Sequence, residues 1–176
     1  MMIMVCNGGC WFAGAKKVWA EVKGGEGKLV VLREPLPSAL LEYQNIRVEI
    51  FANNFSPKVP AYAPELIYSQ IVKEMLEKPQ IYRVNPTSAE GPTLIVRGSI
   101  IHYQTSEGIS SVFSNYSQLI CRVQLIDKAS NRVIGEANCV GYSKAIARTG
   151  LEELGKGVAT DIKKWLTTEP DKEHRD

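Results

Sequence analysis

Cys6-x3-Cys10 lies at the start of the chain, and Cys121 and Cys139 lie in its second half. Thiolates at the first spacing hold a metal only when a second pair of ligands completes the tetrahedron. With two His and four Cys in all, no such second pair exists, and no metal site is expected. GGEGK at 24–28 brings glycines and a lysine together, as a phosphate-cradling loop does. That loop also needs Ser or Thr after the Lys and a helix starting there. Here Leu29 and the apolar run LVVL follow, so the stretch reads as a turn between two short strands. His102, in IIHYQ, has no Cys, Asp or Glu at metal or triad spacing. The serines of TSEGISSVFSNYS lack a nucleophile-elbow pattern. Glu74, Glu77, Glu152, Glu153 and Asp161 lie near lysines and read as helix-surface charges, and Asp127 as a turn residue. The expectation is no catalytic residue, no cofactor and no enzyme.

The bulk properties narrow the classes further. The 176 residues suit one ordinary domain, at 44% hydrophobic and 23% charged. The net charge of +2, with no Lys/Arg run longer than two, argues against nucleic acid. No apolar stretch is long enough for a membrane span. The Met-rich opening MMIMV is too short for an export signal and lacks a basic start. Gly8-Gly9-Cys10 nevertheless resembles the end of a bacterial lipoprotein signal, although Asn7 stands where that signal has Leu. On this reading the chain begins inside the signal, and Cys10 is the lipid-attachment residue. The alternative is a cytosolic tail with two incidental thiols.

The elements that position these groups follow from periodicity. Residues 1–38 read as signal remnant, tether and extended lead-in, 39–168 as a single domain and 169–176 as a disordered tail. In 45–55, Ile46, Val48 and Ile50 alternate with Arg47, Glu49 and Phe51, as in a strand. Residues 64–78 form a helix with Pro in its first turn, an apolar stripe of Leu66, Ile67, Ile71, Met75 and Leu76, and a stop at Pro79. IYRV at 81–84 is a short strand. Three long strands follow at 93–104, 115–127 and 132–145. Leu151, Leu154, Val158, Ile162 and Trp165 then mark an amphipathic helix over 151–166. Two helices cover one face best, so the expected fold is an α/β two-layer sandwich, with a mixed sheet of about five strands and both helices on one face.

The two faces of that sheet differ. Leu119, Cys121, Val123 and Leu125 share one with Val133, Gly135, Ala137, Cys139 and Gly141. Gly155, Gly157 and Ala159 on the last helix are small as well, which allows close helix–sheet packing. The other face carries Ile120, Arg122, Gln124 and Ile126 against Ile134, Glu136, Asn138 and Val140, with Arg97 and Ser99 extending the row. It is either a solvated face with charge pairs or a partner surface formed by Arg97, Arg122, Gln124, Glu136 and Asn138, with the isoleucines collecting into a patch. The turn of DKASNR, with Asn131 left-handed, pairs Ile126 with Ile134, Val123 with Ala137 and Cys121 with Cys139. The cysteines would face each other on a non-hydrogen-bonded pair, as a disulfide or poised thiol pair if exported and as buried thiols in the cytosol.

LPSALLEYQNIRVEIFANNF, the Val-Arg-Gly centre of TLIVRGSIIHYQ, the Asp-turn hairpin of VQLIDKASNRVIGEA and the glycine-bearing last helix together carry a likeness. Over roughly 36–166 the chain resembles the small bacterial predicted lipoproteins of domain-of-unknown-function family DUF 4410, with Asn131 where that family has Gly at the hairpin. The topology is also similar to lipid-anchored envelope modules such as activators of cell-wall synthases and the curli secretion lipoprotein. The resemblance implies a non-enzymatic, lipid-anchored protein of the cell envelope, facing the periplasm at the outer membrane. Such a protein acts by contact with an envelope protein partner, as an accessory or assembly factor. The alternative is a soluble cytosolic binding module or small hydrolase.

Overall fold

The computed structural model describes residues 26–54, 59–77, 82–87, 90–104, 117–143 and 150–167. Cys6, Cys10, the serine-rich loop and the charged tail lie outside the described residues. Among the described residues, seven strands and three helices follow one another as β1 (Glu26–Arg33), α1 (Pro37–Leu40), β2 (Asn45–Val48), β3 (Ala52–Asn53), α2 (Ala63–Leu76), β4 (Arg83–Val84), β5 (Thr93–Gln104), β6 (Ser117–Asp127), β7 (Arg132–Ser143) and α3 (Leu151–Thr167). They form an α/β fold with one mixed sheet, ordered β1-β7-β6-β5-β2-β4, and β3 pairs with β5. The β5–β6–β7 meander is antiparallel, β1 adds antiparallel to β7, and β2, β3 and β4 pair parallel.

The expected lead-in is thus a strand of the sheet. GGEGK is not a turn throughout, because Glu26, Gly27 and Lys28 already pair with Tyr142, Gly141 and Val140. The expected single strand at 45–55 is broken. Ile46 and Val48 are buried, but Phe51 is buried too and Ile50 is exposed, so the alternation reverses across the gap between β2 and β3. The reason is Gly98 on β5: the Phe51 ring occupies the space a Cβ there would take. In α2 the buried stripe is Ala63, Ile67, Ile71 and Met75, while Leu76 is exposed at the helix end.

One buried cluster joins Ile67 and Ile71 of α2, Leu154, Val158 and Ile162 of α3, and the inward residues Val96, Leu119, Val123 and Ala137 of the sheet. Burying side chains of this size contributes about 1.5–3 kcal/mol each. At one end of the sheet the backbones themselves touch. A Cβ on Gly157 would lie 2.6 Å from the Glu26 carbonyl oxygen, and one on Gly141 would overlap the Leu154 carbonyl. Small residues thus bring α3 onto β1 and β7, as their spacing suggests. Gly155 is the exception, since it faces Leu66 and Gln70 of α2 and serves helix–helix packing. Lys163 reinforces that contact by donating to the Glu74 carboxylate at 3.3 Å.

Asp161 is not a helix-surface charge. It is 2% exposed, packed against Gly27 where β1 crosses α3, and its Oδ2 has no hydrogen-bond partner among the described residues. Burial raises its pKa to about 6, against the opposing pull of Lys164 and a backbone hydrogen bond from Val140.

Candidate functional site

β5, β6 and β7 are long and β-rich, and alternate residues of each point away from the helices. Arg97 lies opposite Gln124, Ser99 opposite Arg122, Arg122 opposite Asn138, and Gln124 opposite Glu136. The five residues read from the sequence as a partner surface therefore meet on one face. No described helix covers it. Arg97 donates to Glu49 through Nε at 2.6 Å and through a terminal nitrogen at 3.4 Å. These hydrogen bonds and the Glu49 charge raise the Arg97 pKa further and hold it as a cation. Arg122 Nε reaches Asn138 Oδ1 at 3.4 Å and lies 3.6 Å from Glu136 Oε1. The Arg97 and Arg122 side chains stay about half exposed, at 49% and 46%.

A shallow depression of about 350 Å³ opens between these groups, lined by Glu49, Ile50, Arg97, Ser99, Arg122 and Gln124. Glu49 and Ile50 escaped the sequence reading because they reach the site across a parallel pairing, β2 to β5, whose register no local pattern signals. The expected apolar patch also differs. Ile126 and Val140 are 2% and 9% exposed, covered by their neighbours. Ile134 packs against the core instead, because a bulge between Leu125 and Ile126 pairs Ile126 with Val133. The apolar side chains that do emerge include Val30 on β1, opposite Asn138, Ile50 beside the depression and Ile101 on β5.

Two guanidinium groups, two carboxylates and two amides on an open sheet can recognise a polar surface through directed hydrogen bonds. Among the described residues no three His, Cys, Asp or Glu gather as metal ligands. No described helix is long and apolar enough to cross a membrane.

Beneath this face, Cys121 and Cys139 are directly paired, as read from the turn. Both are free thiols, fully buried, and burial raises both pKa values, with Asp161 adding to the shift at Cys139. Asn131 adopts a positive φ of 54° in the hairpin, where its side chain tolerates the left-handed backbone. Asp127 accepts there from the Ser130 hydroxyl, which chiefly lowers its pKa, and from the Ser130 and Ala129 amides, which add to it.

No family model matches the chain, and no curated protein does. The resemblance to DUF 4410 therefore rests on the sequence motifs alone. Solved structures do match. The PelC dodecamer from Paraburkholderia phytofirmans is 15% identical, with a TM-score of 0.55 over 81% of this chain and 99% of that one. Protein XCC0632 from Xanthomonas campestris, of DUF330, gives 0.47 at 11% identity over 77% and 86%. Lipoprotein GNA1162 from Neisseria meningitidis gives 0.46 at 11% identity over 71% and 99%. The likeness to PelC, spanning nearly all of that chain, shows a shared fold.

Proposed function

We propose that this protein is a non-enzymatic, lipid-anchored accessory module of the cell envelope that acts by protein–protein contact through the open sheet face. The observation that carries the reading is the convergence of Arg97, Arg122, Gln124, Glu136 and Asn138 on a face that no described helix covers. Two half-exposed arginines with Val30 and Ile50 beside them support a contact surface over a merely solvated face. PelC, which shares the fold, assembles as a dodecamer. Self-association is accordingly one form the contact takes. Cys10 carries the lipid on this reading, and the stretch after it is the tether.

The test is affinity capture from detergent-solubilised envelope, with sedimentation to read self-association. Arg122→Glu combined with Glu136→Lys is expected to stay folded and lose partner or assembly. Retention of every partner and of the assembly state by this variant would move the contact elsewhere. Cys10→Ser, expressed from the natural start, is expected to shift the protein from the membrane to the soluble fraction. Unchanged fractionation would remove the anchor from the proposal.

A further inference from the structure

A second polar concavity lies at the end of the sheet away from β1, where β2, β4, β5 and α2 meet. It is an open groove of about 610 Å³. Arg47 of β2 and Lys128, the first residue of the β6–β7 turn, both line it, with Tyr68 of α2 and with Asn85 and Thr87 just after β4. Among the described residues, no carboxylate lines it. Neither Arg47 nor Lys128 has an ion-pair partner among the described residues. The nearest carboxylate in sequence, Asp127, is turned into its own hairpin by Ser130 and Ala129. Lys128 is anchored by its backbone N–H on the Thr93 carbonyl at 3.1 Å.

The wall of the groove is held in place. Asn85 sits at a positive φ of 46°. Its backbone N–H donates to the Ile46 carbonyl at 2.8 Å, and its Oδ1 accepts from the Val48 N–H at 2.8 Å. Its Nδ2 donates to the Tyr68 hydroxyl oxygen at 3.1 Å. Because Tyr68 is the acceptor in that bond, its own O–H proton remains to be donated. The groove therefore presents two cations and a hydroxyl donor on a braced wall, with no carboxylate among the described residues that line it.

We infer that this groove binds an oxyanion carried on a small molecule, with Arg47 and Lys128 neutralising the charge and Tyr68 donating to an oxygen. A planar guanidinium offers two parallel N–H groups to a phosphate or carboxylate, and an ammonium adds a point charge. The groove is open and has room for a small molecule that carries the anion, of which a sugar phosphate is one size to test. This site lies apart from the open-face depression and stands independently of the contact proposed there.

The test is a ¹⁵N-detected titration of the whole chain with inorganic phosphate, glucose 6-phosphate and glucuronate, each against chloride at matched ionic strength. Phosphate is expected to shift the Asn85 side-chain amide, Thr87 and the Arg47 guanidinium, and glucose 6-phosphate to bind more tightly than phosphate. Arg47→Gln with Lys128→Gln is expected to weaken binding about tenfold or more, as loss of charge-assisted bonds does. Tyr68→Phe should cost a smaller factor, and Lys156→Gln, an exposed cation on α3, should cost none. Binding of glucuronate in preference to both phosphates would retain the site and make its anion a carboxylate. Shifts no larger than those with chloride, shifts spread over all surface cations, or binding unchanged in the double variant would each overturn the inference. Both substituted residues are exposed, so the double variant is expected to keep its fold, which its amide spectrum checks directly.

Discussion

The two faces of β6 and β7 are made from the same twenty-odd residues, taken alternately, and they obey different rules. On the inward face there is no slack: Gly141 and Gly157 bring backbone against backbone, and Cys121, Val123, Ala137 and Cys139 are fully buried. On the outward face Arg122 reaches Asn138 at 3.4 Å and lies 3.6 Å from Glu136, Gln124 lies opposite Glu136, and solvent stands beside them. The first face fixes the fold, and the second leaves chemistry free to vary. The contrast predicts large stability effects for small changes inside, and small stability effects for large changes outside.

The largest effect is expected for Gly141→Val. The new side chain would meet the Leu154 carbonyl, a backbone atom that cannot swing away. A loss of about 3 kcal/mol or more is expected from overpacking, read by urea denaturation. Stability within about 0.5 kcal/mol of the parent would mean that α3 does not lie so close to the sheet.

Next comes the buried carboxylate. The Asp161 pKa in the folded chain is about 6, against an ordinary 3.8. The native state therefore holds the proton more firmly than the unfolded one. Its contribution favours folding at low pH and is lost as pH rises through about 6. The melting temperature should be higher at pH 5 than at pH 7.5, and Asp161→Asn should remove most of that difference. Asp127 has the opposite sign, since its lowered pKa costs stability only as pH falls below the usual carboxylate range, outside this window. A wild-type melting temperature that rises from pH 5 to 7.5 would contradict the burial of Asp161.

The thiols sharpen the comparison kinetically. With both cysteines buried and their pKa values raised, the native protein should react with a thiol reagent only as fast as it opens. Both should react at once in denaturant. Prompt labelling of the native state would place them at an accessible edge.

The smallest stability effect is expected where the proposed contact lies. Arg122→Glu with Glu136→Lys reverses a surface pair, and such pairs contribute about 0–1 kcal/mol. A loss above about 2 kcal/mol would show that the outward face carries structure as well as recognition.

The strand at 93–104, the strand starting at 132, the last helix, the small-residue contact and the Cys121–Cys139 pairing were legible because each is a local or hairpin property. Period, turn chemistry and alternation act over a few residues. The departures all involve distance along the chain. Phe51 turns inward only because Gly98 leaves it room. Ile134 turns inward at a bulge that no residue of the turn announces. Glu49 meets Arg97 across a parallel pairing, and Asp161 is covered by a strand more than a hundred residues earlier.

By itself, then, the sequence determined an α/β chain with a meander at its centre, an inward face of small and apolar residues and an outward face of polar ones. Hydrophobic periodicity and the two-residue repeat of a strand are written directly into the order of residues. Only the tertiary structure decided that 26–33 is an edge strand, that Arg97 is held by Glu49, and that Arg47, Lys128, Tyr68 and Asn85 surround one groove. Those facts depend on which distant segments lie side by side. That choice is made by the summed packing of the whole core, and no short stretch of the chain contains it.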